Sequence, residues 1–288
     1  MADSRFMTFW RAFRDNRGAV VGLAIVLALI FIAIFAPLLA PHDPIEQYRG
    51  FTKLPPFWVE GHDPRFILGT DAVGRDMLSR LMYGARVSLF IGLAVMVVSM
   101  LVGISLGLSA AFFGGLVDVA IIRVMDLIQA IPSLVLAILI IAIIGPTLTN
   151  TIIAVTIVGL PRYVRLLRAS ALSELSKDYV TAAKVSGVRK FRLMTVTVLP
   201  NCLAPLIVQA ALGISDAILE AAGLGFLGLG AQPPTPEWGA MLADTRDLMV
   251  SHPWVMAFPG IAILITVLAI NMMGDGLRDA LDPRLRKS

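Results

Sequence analysis

Ala19 to Leu39 reads AVVGLAIVLALIFIAIFAPLL, a run with no charge anywhere in it. A helix rises 1.5 Å per residue, so such a run crosses roughly 30 Å of hydrocarbon. Arg11, Arg14 and Arg17 precede it, the pattern of a secretory signal. Its apolar part is longer than the usual ~7–15 residues of a signal, which favours an uncleaved span. Composition agrees: 57% of the 288 residues are hydrophobic and 15% charged, against about half and one quarter in a soluble domain.

Six apolar stretches predict an all-α membrane protein of six helices. They run over 19–39, 87–112, 117–144, 150–167 (broken by Pro161), 203–230 and 255–273. The organisation that follows is an N-terminal segment 1–18, a first span 19–40, an outer segment 41–86 and a core 87–273. The core includes polar loops 168–201 and 231–254, and a tail follows at 274–288. With the N-terminus inside, the inner segments hold about 17 Lys and Arg and the outer ones about 7. The positive-inside rule therefore puts both termini and loop 168–201 in the cytoplasm.

That distribution also explains the pI near 9.5 without nucleic acid. A single cysteine, Cys202, excludes an intrachain disulfide. His42, His62 and His252 are scattered, with no metal-ligand spacing. The chain has no G-x-x-x-x-G-K-[ST] phosphate loop and no G-x-S-x-G or H-E-x-x-H site. It is thus expected to bind neither ATP nor metal and to catalyse no hydrolysis itself.

Loop 168–201 is the anomaly. DYVTAAKVSGVRKFRLMTVTVLPN, Asp178 to Asn201, carries Lys184, Arg189, Lys190 and Arg192 between two oily stretches. Leu172, Leu175, Tyr179, Ala182 and Ala183 fall three or four apart, predicting a helix over 173–186 with one apolar stripe. Gly187 follows as a helix-ending glycine, and 188–199 reads as a second helix stopped by Pro200. The basic residues suit anionic headgroups; a docking site for a cytoplasmic partner fits the composition equally well.

Other residues carry chemistry within or beside the spans. Asp216 and Glu220 sit one turn apart in the fifth span, where an ionisable group costs about 2.5–3.5 kcal/mol. They line a passage or form a structural pair. Gln129 and Asn271 suit hydrogen bonds between helices. Arg123 and Asp126 read as a local pair, and Arg162, Arg165 and Arg168 as orientation anchors. Gly103 and Gly107 suit close helix packing. In the outer segments, Thr70 or Asp71 is expected to cap a short helix bearing Arg75, Asp76 and Arg80. That helix is an interfacial anchor or part of a docking surface. Trp238, in AQPPTPEWG, reads as an interfacial anchor.

The loop resembles the signature E-A-A-x3-G-x9-I-x-L-P of bacterial ATP-binding-cassette importer permeases. Here it reads Thr181, Ala182, Ala183, then Gly187, then Thr197, Leu199 and Pro200. Thr181 stands in place of the glutamate and Thr197 in place of the isoleucine. LGTDAVGRDMLSRLMYGARVSL, GFLGLGAQPPTPEWGAML and MGDGLRDALDPRLR are similar to the C-type permeases of the peptide and nickel subfamily. LPNCLAPLIVQAALG is particularly similar to the dipeptide branch. The resemblance implies the binding-protein-dependent importer permease (MetI-like) core in a bacterial inner membrane, moving dipeptides or short peptides. It implies a B-type permease partner, two ATPase subunits that bind ATP and Mg, and a periplasmic or lipid-anchored substrate-binding protein. It assigns coupling to the ATPase to Thr181, Ala182, Ala183, Gly187, Val188, Arg189, Leu199 and Pro200. It extends an outer gating role to Trp238. Glutathione, a nickel chelate, haem or a longer peptide remain alternative cargoes. An ion-coupled secondary transporter using Asp216 and Glu220 is the competing class; it leaves the helix–glycine–helix insert without a purpose.

Overall fold

A computed structural model describes residues 5–281; residues 1–4 and 282–288 of the expected terminal segments, including the end of the MGDGLRDALDPRLR motif, lie outside the described residues. The described chain is helical, with no strand beyond one isolated bridge between Thr70 and Asp76. Eleven α-helices follow in order: α1 (Arg5–Asp15), α2 (Arg17–Leu39), α3 (Met77–Phe113), α4 (Gly115–Gln129), α5 (Ser133–Ile144) and α6 (Leu148–Leu175). Then come α7 (Asp178–Val185), the single turn α8 (Lys190–Arg192), α9 (Leu203–Phe226), α10 (Trp238–Asp244) and α11 (Pro253–Leu281).

Four helical stretches are long and apolar enough to cross a membrane: Arg17–Leu39, Met77–Phe113, Lys190–Phe226 and Pro253–Leu281. The expected third span is not one rod. α4 and α5 meet at a 94° bend, and only taken together are they long and apolar enough to count as a further span. Pro132 causes the break: it cannot continue α4, and it caps α5 instead. α6 is long enough at 28 residues, yet Arg162, Arg165 and Arg168 lower its mean hydropathy, so composition alone does not make it a sixth span. Pro161 was expected to break this helix, but α6 runs through it without interruption.

Small residues set the packing. α3 and α6 share the most extensive contact of the bundle. A Cβ at Gly103 would stand 2.5 Å from Tyr163 Cβ, and one at Gly107 would stand 2.8 Å from the Val164 carbonyl. These two glycines let the helix backbones close on each other, where lipid supplies no hydrophobic drive. One core, including Ile91, Val95, Ile141, Val155 and Leu224, joins α3, α5, α6 and α9. A second, including Leu167, Val180, Leu193 and Val198, continues it under the polar loop. α1 lies against α11, with Phe13 buried beside Ala19 and Ala280.

Candidate translocation path and coupling surface

The polar loop is built differently from its sequence pattern. α6 runs on to Leu175, and an extended Lys177 separates it from α7, so no helix spans 173–186. Leu172 and Tyr179 are more than a third exposed; the residue that anchors α7 is Val180, fully buried. α7 ends as the glycine demands. Val188 N–H donates to the Ala183 carbonyl at 3.2 Å and Gly187 N–H to the Lys184 carbonyl at 3.1 Å. This is the Schellman pattern, with Gly187 at φ 78° in the left-handed region. The second helix does not stop at Pro200. It passes through a π turn (Leu193–Val198) and a 3-10 turn (Leu199–Cys202) into α9, which absorbs the proline's missing N–H without ending the helix.

Thr181, where the signature has glutamate, is not what ties the loop together. Glu174, at the end of α6, accepts from Lys177 Nζ at 2.5 Å and from the Tyr179 hydroxyl at 2.5 Å. Asn201 Nδ2 donates to that same hydroxyl at 3.1 Å. One carboxylate, one phenol and one amide thus link α6, α7 and the turn that leads into α9. Burial pushes the Glu174 carboxyl up, but its bonds to Lys177 and Tyr179 outweigh this and hold it below its ordinary value. On this loop Val185 and Phe191 stay largely exposed. Two exposed apolar side chains thus flank a basic turn.

Within the bundle, three arginines descend one face of α6 at three-residue intervals, each meeting an acid on another helix. Arg162 pairs with Asp216 of α9. Arg165 pairs with Asp126 of α4 at 2.7 Å, and Arg168 with Asp118 of α4 at 2.5 Å. The expected local pair of Arg123 with Asp126 is therefore replaced, because Asp126 turns to α6 and Arg123 stays exposed. The arginines expected to be orientation anchors are also helix-to-helix partners. Glu220 lies one turn from Asp216 and near Ser133, the first residue of α5. Asn271 on α11 accepts from Ser215 on α9 at 2.6 Å, a bond between helices. Gln129, the last residue of α4, is exposed.

The outer residues are interior ones. Asp76, not Thr70 or Asp71, caps α3, accepting from Ser79 N–H at 2.9 Å. The expected short helix is simply the first turns of α3. Asp71 accepts from its own turn, at Val73 and Arg75 N–H, and holds Arg75 Nε at 2.5 Å and Arg80 Nε at 3.5 Å. Asp244 at the end of α10 takes the other side of Arg75, at 3.0 Å. Arg75, Asp76 and Arg80 are all buried, so they present no docking surface on this chain. Trp238 is buried too. Its indole N–H donates to the Leu81 carbonyl at 3.1 Å, and its ring lies against Gly84 of α3. Glu237 caps α10 through Gly239 and Ala240 N–H, both at 2.8 Å. These contacts brace the outer loop onto α3 and α9. The i,i+4 spacing of Asp71 and Arg75 was the available signal, and only the return of loop 231–254 shows that the pair is enclosed.

The family model described as the binding-protein-dependent transport system inner membrane component matches residues 103–287, and one for the N-terminal TM domain of oligopeptide transport permease C matches residues 4–56. The di/tripeptide transport system permease protein DppC of Pseudomonas aeruginosa is 58% identical over 97% of this chain and 92% of its own length. Dipeptide transport system permease proteins DppC of Escherichia coli K12 and Haemophilus influenzae are 58% and 52% identical over 97% of this chain, and 93% and 95% of their own lengths. Among solved structures, the MetNI methionine ABC transporter in inward-facing conformations shares the fold. Its TM-score is 0.59 at 18% identity, covering 72% of this chain and 98% of that one. The chain belongs to the binding-protein-dependent transport system inner membrane component family, as a multi-pass permease subunit of an ATP-driven importer in the inner membrane.

Proposed function

We propose that this chain is the C-type permease of an importer for dipeptides and short peptides. The observation that carries this is identity of 52–58% across nearly the whole chain with three peptide permeases. The chain pairs with a B-type permease, receives peptide from a substrate-binding protein and is driven by two ATPase subunits. α7 and the turn at Gly187 dock on one ATPase, through Thr181, Ala182, Ala183, Val188 and Arg189, while Leu199 and Pro200 carry the movement into α9. Both termini face the cytoplasm. Two features support this: the basic loop is welded to α6 and α9 by buried Val180 and Leu193, and α9 carries Asp216 and Glu220 toward the middle of the bundle. ATP-driven closure of the ATPases then biases a two-state arrangement of the spans. The test is growth of a strain lacking this chain, with a dipeptide as the sole source of a required amino acid. Restoration by the chain, lost on removing a partner ATPase, is expected. Growth restored only on glutathione, haem, a nickel chelate or longer peptides would overturn the dipeptide assignment.

A further inference from the structure

Arg162 is the fifteenth residue of the 28 in α6, and Asp216 the fourteenth of the 24 in α9. Their ion pair therefore joins the two helices near their midpoints, yet each side chain remains about half exposed, 50% and 46%. Charges at that depth face water or protein, because lipid would cost about 2.5–3.5 kcal/mol for each. The surroundings are not those of a closed structural pair. Ser99 Oγ and Tyr163 OH, both on residues at most 3% exposed, have no hydrogen-bond partner among the described residues. Both line the same small cavity as Arg162, Asp216, Glu220 and Gln209, about 20 Å³ in volume. The cluster holds one cation and two acids, so it has a negative charge to spare.

A second, larger cavity of about 620 Å³ opens toward the end of the bundle that carries the coupling loop, between α6, α9 and α11. Gln209 borders both cavities. The larger one is of the size that holds a small ligand. The bend between α4 and α5 contributes as well. Ser133 at the start of α5 stands near Glu220, and a helix N-terminus favours negative charge. Interrupted helices that meet charged groups at mid-membrane are a recurrent way to build transport sites.

Charge completes the argument. Arg162 and Glu220 line the same cavity, so a guanidinium and a carboxylate other than its resting partner stand close together. A zwitterionic dipeptide carries the complementary pair, a carboxylate and an ammonium, within about 6 Å of each other. We propose that Arg162 and Glu220 form a mid-membrane site for the two charged ends of a zwitterionic dipeptide, with Asp216 holding Arg162 in the resting chain where the peptide carboxylate would otherwise sit. This rests on the peptide-importer reading above. The guanidinium takes the carboxylate with Ser99 and Tyr163 as additional donors. Glu220 takes the ammonium, and Asp216 returns to Arg162 once the peptide has left. A longer peptide separates its two ends and engages only one of these groups at a time.

The test is dipeptide uptake by the complete importer in liposomes, with saturating loaded binding protein and assembly verified by co-purification. Arg162→Gln and Glu220→Gln are each expected to reduce uptake at least tenfold, and Arg162→Lys to recover part of it. The double variant Arg162→Gln/Asp216→Asn removes both partners of the ion pair at once, so neither is left without the other, and it is expected to remain at least tenfold impaired. The pair next in line, Arg168→Gln/Asp118→Asn, serves as the comparison and is expected within twofold of wild type. If the Arg162/Asp216 double variant returns to within twofold of wild type, the pair is only a brace and the proposal fails. Equal loss in the Arg168/Asp118 variant overturns it too, since the whole ladder is then structural. No ATP-dependent dipeptide uptake by the wild-type complex would sink the peptide reading itself, and this inference with it.

Discussion

At the scale of single residues, the chain hides charge where its sequence advertises surface. Asp71, Arg75 and Arg80 stand in a polar stretch, and nothing in their local pattern distinguishes a docking patch from a buried network. Loop 231–254 decides the matter by returning from far along the chain and laying Asp244 against Arg75. Breaking a buried pair by removing one partner costs about 3–5 kcal/mol, because a charge is left enclosed and unmatched. Asp71 is the shared acceptor of both arginines and is 4% exposed, whereas Asp244 is 30% exposed. Asp71→Ala is thus expected to leave both arginines only the partly exposed Asp244, at 3.0 Å from Arg75 and 3.8 Å from Arg80, and to lower the melting temperature of the purified permease complex by many degrees. Asp244→Ala is expected to lower it by only a few, because Arg75 keeps Asp71 and water reaches the gap. Equal melting shifts for the two would mean that the network does not hold the outer loop in place.

At the scale of elements, most of the fold was legible because hydropathy and helical spacing act locally. α2, α3, α9 and α11 fall where the apolar runs put them. What sequence did not reveal were events decided by tertiary contact. Two prolines, Pro161 and Pro200, read alike as breakers, yet packing carries the helix through both, while Pro132 makes a 94° bend. The link that Glu174 makes across the loop is visible only once Tyr179 and Asn201 are brought beside it. Gly187 is the opposite case, where the residue type alone predicted its conformation. An L side chain in the left-handed region costs roughly 1–2 kcal/mol, and no atom stands within 4 Å of where a Cβ would lie. Gly187→Val, β-branched and so more strained, is therefore expected to distort the α7 turn without disturbing the bundle. The variant permease should reach the membrane at normal levels, but ATPase activity stimulated by loaded binding protein should fall severalfold. Normal stimulation would show that the turn geometry plays no part in coupling.

At the scale of the whole molecule, the question is which end of the bundle faces the cytoplasm, since the coupling and path proposals both depend on it. The count of basic residues favours the loop end, but three of the arginines that contribute to it, Arg162, Arg165 and Arg168, are matched by acids on neighbouring helices. Their weight as anchors is correspondingly less. The argument then rests on the flanks: Arg11, Arg14 and Arg17 before α2, and the basic cluster Lys184, Arg189, Lys190 and Arg192 beside α7. Lys and Arg within roughly 15–20 residues of a span are the ones that orient it. Both groups lie at the same end, because α2 leaves that end, α3 returns to it, and α6 ends in the loop. The geometry supplies a direct check. Cys202 is the single native thiol and is buried, so cysteines introduced elsewhere report alone. Trp58 in the outer segment and Phe191 in the coupling loop are 57% and 75% exposed. In intact cells, a membrane-impermeant maleimide is expected to label a Trp58→Cys chain and to leave a Phe191→Cys chain unlabelled until the membrane is opened. The reverse pattern would turn the molecule over and remove the loop from any cytoplasmic ATPase. With the orientation as argued, adding the partner ATPase to opened membranes should then slow labelling at position 191 and leave position 58 unchanged, because only the first lies on the surface that an ATPase would cover.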